Sequence, residues 1–453
     1  MDAEPVIEIQ RAANPSTRRV DRFCFVYLFF LLHGVGTLLP WNLFINSEAY
    51  YTKYKFARDP EYAKNFLAYV GICAQVPNLI FSLLNAFLPV KGGLLKRMVV
   101  ALSLMAVVFA VTCALPLIDT TNWTGWFFFI TMMSVVLTCS ATGVYQNCVY
   151  GLAADFPMKY SNAVVIGSNV SGLITSVMYL ISVGLSPSYP VSATVYFSCA
   201  LLTIILCLLS FMFLRLNRYF RTNYGFSVAT EEEESKTRLL QDSVERNSFC
   251  SRCRGAVKPL LEIIWQVKVQ LFNIFFIFFV TLTVFPAMMA NVESVSPNFP
   301  LGPRYYSAVM CFLVFNMFAV LGNVVSNWLR FPSAQWLWLP VSARALFIPF
   351  FLFCNFQPQY RTLPVLIKSD WLFLAGGMLM AFSSGHLTSL VMMYLPRLVG
   401  AKQSRTAAMM AALFLVFGVV CGVNFTLFIS HINEKMGPCH PAFASNGTSV
   451  ICP

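Results

Sequence analysis

Charge is what this chain has least of. Asp, Glu, Lys and Arg make up 11% of its 453 residues, against roughly 25% in soluble globular domains, so an ordinary water-facing surface cannot be assembled from it. Carboxylates are the scarcer sign, with 19 Asp and Glu against 31 Lys and Arg. None lies near the middle of an apolar run; Asp155, Glu262 and Glu293 all sit near ends. A proton or sodium relay wants a carboxylate in mid-membrane, so ion coupling is disfavoured and a cationic cargo would find no counter-ion. Nor does any carboxylate pair, Ser/His arrangement or metal cluster recur at one depth, which argues against an intramembrane enzyme and against a cofactor.

What is present is apolar sequence: 58% of residues are hydrophobic and the mean hydropathy is +0.67. Windows of about 19 residues pick out eleven spans, at about 23–45, 66–88, 97–118, 125–153, 162–184, 193–215, 265–289, 306–329, 336–356, 370–396 and 406–429. The fold class expected is therefore an all-α integral membrane protein whose termini lie on opposite sides. The first 22 residues are polar and basic and the run behind them is too long for a signal-peptide core, so no cleavable leader is expected. With a cytoplasmic N-terminus, roughly 23 of the 31 Lys and Arg fall on inner segments and roughly 8 on outer ones, as the positive-inside rule requires. The net charge of +12 then reports topology and contact with the lipid bilayer, not a nucleic acid polymer. An outer C-terminal tail suits the sequon at Asn446 and a disulfide loop between Cys439 and Cys452, which an oxidising compartment would keep. The localisation expected is the plasma membrane, with an endolysosomal membrane also compatible.

The long polar interruption between the sixth and seventh spans contains Glu231-Glu232-Glu233-Glu234 followed by basic residues and reads as a disordered cytoplasmic linker. The chain thus divides into a tail (1–22), a six-helix bundle (23–215), the linker (216–257), a five-helix bundle (258–429) and a second tail (430–453). Such a division suggests two bundles rocking about a central site, although no repeat between the halves can be aligned by eye. Cys250 and Cys253 have the spacing of a metal half-site, but the other two ligands are missing. Nothing marks an obligate protein partner.

Polar residues inside the spans show where such a site would lie. Gly36-Thr37-Leu38-Leu39-Pro40-Trp41-Asn42 in the first span combines a helix breaker, a flat indole and an amide that needs a polar partner away from water. Further amides are Gln75 and Asn78 in span two, Gln146 and Asn147 in span four, Asn169 in span five, and Asn316 and Asn323 in span eight. Thr142 and Gln146 are four apart and share a helical face. One interhelical amide bond is ordinary glue, worth around 0.6 kcal/mol; so many together favour a shared polar cavity, since each buried amide left unpaired costs about 1–3 kcal/mol. His33 and His386 are the intramembrane histidines, each readable as a pH-sensitive gate or as a hydrogen-bonded core residue. Arg344, a turn into span nine, suits either snorkelling to the cytoplasmic face or a pairing at the inner gate.

Taken together, GTLLPWN at 36–42, YQNCVYGLAADFP at 145–157, VFPA at 284–287, FNMF at 315–318, ARALFIPFFLFCN at 343–355 and FSSGHLTSL at 382–390 resemble the equilibrative nucleoside transporters (solute carrier family 29) along nearly the whole chain. The resemblance implies a fold similar to the major facilitator superfamily, a small-molecule nucleoside cargo and facilitative transport by alternating access. Residue by residue, Leu38 and Trp41 match a cavity wall, Gln146 the amide that reads the nucleobase edge, and Val419 an apolar contact of the last span. Ile45 and Pro286 match the outer constriction, with Phe285 beside the latter in the same gate. Span eight departs from the family, which places an aspartate and, four residues on, an arginine there to hold the ribose; this chain has Ala319 and Asn323. Gln75, Asn78 and Asn323 are then the candidate sugar contacts, with Asn316 also in the substrate-binding set, and the departure leaves a carrier of nucleobases or another small polar solute as the alternative.

Overall fold

The computed structural model describes residues 21, 24–57, 60–87, 93–120, 122–185, 188–214, 216–222, 224, 249–296, 299–358, 361–400, 403–436, 440–444 and 447–451. The elements are α1 (Phe25–Asn46), α2 (Pro60–Phe87), α3 (Leu94–Ala114), α4 (Thr124–Ala153), α5 (Met158–Leu185), α6 (Tyr189–Leu214), α7 (Phe249–Val284), α8 (Val314–Val325), α9 (Trp338–Leu352), α10 (Asp370–Tyr394) and α11 (Ser404–Lys435). A C-terminal hairpin pairs β1 (His440–Ala444) with β2 (Gly447–Ile451) in antiparallel register. Below, the membrane side on which α1 begins is called proximal and the other distal.

Among the described residues ten segments are long and apolar enough to cross a membrane, and α9 is a shorter apolar helix. Ten of the eleven expected spans are thus long apolar segments, and the ninth is shorter. The region 336–356 breaks into two six-residue α-helical pieces, Trp338–Ala343 and Phe347–Leu352, joined by a 3-10 turn at Arg344–Leu346. Pro349 has no amide hydrogen to give the Ala345 carbonyl, as continuous helix would need, whereas Pro340 stands in the first turn where none is required. At α7 the helix starts at Phe249, within the segment expected to be linker, and is broken at Val267, where φ is −109° and ψ 15°. The apolar span within it begins at Leu260, past Arg252 and Arg254. Leading into α8, Ser307–Leu313 forms a π-helix. Cys439, Asn446 and Cys452 lie outside the described residues, as does most of the linker.

Close helix pairs explain the packing. Without water to drive apolar faces together, membrane helices associate where small residues let backbones touch. A Cβ at Gly34 on α1 would meet the carbonyl oxygen of Val164 on α5, and one at Gly418 on α11 would meet that of Phe275 on α7. Gly143 on α4 lies against the Asn78 carbonyl on α2, and Gly385 on α10 against that of Ala319 on α8. The pairs α1/α5 and α7/α11 correspond, as do α2/α4 and α8/α10, so the two halves repeat in their contacts. That repeat is invisible in aligned residues because glycines, which carry it, occupy different local sequences in each half.

The halves join at the proximal end. One buried apolar cluster runs through α1 to α6 and continues into Ile263–Ile277 of α7, Leu387–Leu395 and Ala407–Val416. A second, separate cluster holds the distal part of the last five helices, including Val284, Phe315, Ala319, Phe351 and Met380.

Candidate functional site

From residue 38 outward one face of α1 is only partly covered: Leu38, Trp41, Asn42 and Ile45 are half-buried at helical spacing, while Leu39, Pro40, Leu43 and Phe44 are buried. Pro40 sits inside the helix. Trp41 stacks on Phe44 with centroids 6.4 Å apart and planes at 10°, and both line a small cavity with Phe109 and Thr112 of α3 and Ser134, Val135, Thr138 and Cys139 of α4. At ≈ 10 Å³ for water-sized centres this space holds about one water. The Asn42 amide finds its polar partner on α5, donating to Ser171 Oγ at 3.2 Å.

On α4, Gln146 lies two steps of four residues, about 12 Å, along the axis from Thr138, with Thr142 between them turned to Met105 Sδ of α3 at 3.9 Å. Neighbouring side chains are tied into the protein. Asn147 Nδ2 donates to the Ser82 carbonyl at 2.9 Å, Tyr145 reaches His33, and Cys148 meets Asn85. Gln146 is 4% exposed, yet its amide enters no hydrogen bond among the described residues. That amide can both donate and accept without giving up a protein hydrogen bond.

The other candidate residues divide. Gln75 is half-buried on α2, one turn from Asn78, whose Oδ1 is buried without a partner against α4. Asn316 donates to Ser176 Oγ across to α5 at 3.1 Å and to the Phe312 carbonyl at 2.9 Å. Asn323 is fully buried where α5, α8 and α10 meet: its Oδ1 accepts from Ser389 at 3.1 Å and its carbonyl from Asn162 at 3.0 Å, while Nδ2 has no acceptor. Ala319, also buried, fills the α8/α10 contact. Phe285 lies flat on Phe315, with centroids 3.8 Å apart and planes at 7°, beside half-buried Pro286. Val419 is half-buried on α11.

Both histidines are partnered at each ring nitrogen. His33 joins Tyr145 on α4 (2.7 Å) to Ser210 on α6 (2.9 Å), and His386 joins Ser326 (2.8 Å) to the Phe331 carbonyl (2.8 Å). This is the hydrogen-bonded core geometry. Arg344 does not snorkel. It is 2% exposed and donates to Thr281 Oγ1 on α7 (2.7 Å), to the Met380 carbonyl (3.0 Å) and to Ser383 on α10.

Sequence reasoning missed a proximal cluster that ties the halves together. Asp155, after α4, pairs with Arg405 on α11; Ser404 Oγ donates to the Ala154 carbonyl at 3.2 Å, Arg397 to that of Phe156 at 2.7 Å, and Asn162 to Asn327 Oδ1 at 2.9 Å. Asp155 and Arg405 stand 250 positions apart, and the one signal available was that both lie at proximal ends of apolar runs.

Comparison with known proteins agrees with this architecture. Residues 132–431 match the profile of the family described as nucleoside transporter. Equilibrative nucleoside transporter 1 of Rattus norvegicus is 31% identical, covering 90% of this chain and 97% of its own, and equilibrative nucleoside transporter 2 of Homo sapiens is 30% identical over the same shares. Among solved structures, a proton:xylose symporter of the major facilitator superfamily superposes with a TM-score of 0.60 at 12% identity, over 91% of each chain, a likeness of fold alone. The chain belongs to the equilibrative nucleoside transporter family, a family of multi-pass membrane transporters and not of enzymes, and its fold is that of the major facilitator superfamily.

Proposed function

We propose that this protein carries nucleosides passively across the plasma membrane by alternating access, with the N-terminus cytoplasmic. The observation that carries the reading is Gln146: a nearly buried amide free of protein partners, on the helix whose Thr138 lines the Trp41 cavity, in a chain whose relatives are named for nucleosides. In this reading the indole offers a stacking surface and the amide reads the base edge, while Gln75, Asn78 and Asn316 face the sugar. Separate proximal and distal clusters suit two bundles that rock about the site, the proximal contacts being those that must part. Absence of a carboxylate at mid-depth supports an uncoupled carrier: among the described residues, Asp155 is paired with Arg405 and Asp370, at the start of α10, accepts from Tyr306, Ser294, Val295 and Ser296. The charge asymmetry supports the orientation. The nucleobase alternative gains no support from the relatives.

Purified protein in proteoliposomes tests this directly. Labelled adenosine and uridine should equilibrate, show trans-stimulation by unlabelled nucleoside, and gain nothing from an imposed pH or sodium gradient. Gradient-driven accumulation would rule out the uncoupled mechanism, and block of adenosine uptake equally by free adenine would favour the nucleobase reading.

A further inference from the structure

Helices α7 and α11 touch closely at two levels: a Cβ at Gly418 would collide with the Phe275 carbonyl oxygen, and one at Gly422 with that of Phe279. Proximal to these contacts α7 breaks at Val267. The cleft between the two helices measures ≈ 190 Å³ and is walled by Ile264, Leu271 and the rings of Phe272, Phe275, Phe414 and Phe417, with Lys268 as its one charged lining residue. That volume is far beyond the roughly 10–15 Å³ that a single water needs, and apart from Lys268 the lining side chains offer water no partners.

Its two ends differ in kind. Lys268 Nζ lies 3.5 Å from the centroid of the Trp265 ring, and that indole is 72% exposed; an exposed Trp with a Lys beside it marks the headgroup level of a bilayer. From Lys268 to Phe275 the wall runs about 10 Å along the helix, into hydrocarbon, and stops where Gly418 closes on α7. Phe272 and Phe417 remain open towards lipid. A cation at the headgroup level above a blind apolar slot fits an amphiphile with an anionic head and a flexible tail, and charge complementarity selects among the lipids able to reach it.

We propose that this cleft binds an anionic glycerophospholipid of the proximal leaflet, with its phosphate group on Lys268 and one acyl chain in the slot between α7 and α11. The test uses the full chain purified in neutral detergent and incubated with equal amounts of phosphatidylglycerol and phosphatidylcholine of the same chains, retained lipid being read by native mass spectrometry. Wild-type protein should retain phosphatidylglycerol preferentially by about fivefold, the worth of one basic residue at the surface. Lys268→Gln should abolish the preference while leaving phosphatidylcholine retention as it was. Ile264→Trp, which adds bulk to the wall, should lower retention of both lipids. Glycerol phosphate, a head without a chain, should not compete. Equal retention of the two lipids by wild type, a preference that survives Lys268→Gln, or competition by glycerol phosphate would overturn the proposal. Because the readout is bound lipid, its failure leaves the transport reading untouched, and failure of transport leaves this one standing.

Discussion

Arg405, in the first turn of α11, grips Asp155 behind α4 with a fork of contacts: Nε lies 2.7 and 2.8 Å from the two carboxylate oxygens, and Nη2 lies 2.7 Å from Oδ2. Both side chains are nearly buried, at 9% and 6% exposure, and they join the two halves of the transporter. Removing one partner of such a pair strands the other charge at a cost of about 3–5 kcal/mol, whereas replacing both with apolar side chains is often neutral. Arg405→Ala or Asp155→Ala alone should therefore lower the melting temperature in detergent and raise labelling of a cysteine placed in the proximal cluster. The double change Asp155→Leu with Arg405→Met should restore most of the melting temperature. Single variants that melt with wild type would show that the pair does not hold the proximal end.

Recognition and support can be separated on α4, where Gln146 and Asn147 are adjacent amides with different surroundings. Gln146→Leu removes an amide that has no protein partner, so the melting temperature should hold or rise while nucleoside uptake falls tenfold or more, the loss of one good hydrogen bond. Asn147→Leu breaks the bond to the Ser82 carbonyl and should cost about 1 kcal/mol of stability, with uptake per folded molecule largely kept. The opposite pattern, measured by melting curves alongside uptake normalised to folded protein, would move the recognition role off Gln146.

The sequence made most of the fold legible, because continuous apolar runs report membrane depth whatever packs against them. What it does not show at α9 is local: Trp338–Leu352 is apolar enough, but the helix is interrupted at Arg344–Leu346 ahead of Pro349, and hydropathy is blind to missing donors. The proposed site rests on Trp41 and Gln146, which the sequence makes conspicuous as an aromatic and an amide in hydrocarbon. It was not legible at His33 or Arg344. Their roles rest on Tyr145, Ser210, Thr281 and Ser383, ordinary hydroxyl residues on other helices that no spacing rule links to them. The same holds for Asp155 and Arg405, each of which reads alone as an interfacial charge.

Arg361, between α9 and α10, is the strongest case of a residue that sequence reading passed over. Its guanidinium is fully buried and spends its donors on five carbonyls: Leu363 (2.5 Å), Cys354 (2.6 Å), Phe356 (3.4 Å), Leu352 (3.3 Å) and Pro364 (2.7 Å). Burial pushes its pKa down to about 10, still high enough to keep the charge at neutral pH. Lysine has three donors on one nitrogen and cannot match that fork. Arg361→Lys should leave at least two carbonyls unmet and cost about 2 kcal/mol or more, seen as a lower melting temperature and faster proteolysis of the distal loop between α9 and α10. A melting curve superimposable on wild type would show that the carbonyl cage is dispensable.

Two glycines separate close packing from helix propensity. At Gly167 on α5 an added Cβ would strike the Leu31 carbonyl oxygen and approach the Val35 nitrogen (2.9 Å) and Gly34 Cα (3.0 Å), all backbone of α1. Backbone cannot rotate aside as a side chain can, so Gly167→Ala must push α1 and α5 apart along the seam that also carries the Thr37–Ser168 and Asn42–Ser171 hydrogen bonds. Overpacking of this kind costs about 1–3 kcal/mol, and the displaced helix is the one that presents Leu38, Trp41 and Ile45. Gly71 on α2 has nothing within 4 Å of the same added atom, so Gly71→Ala should gain up to about 1 kcal/mol by restricting the unfolded chain. The pair of variants should therefore move melting temperature in opposite directions, with uptake falling for Gly167→Ala alone. Equal behaviour of the two would mean that the α1/α5 contact does not set the position of the Trp41 face.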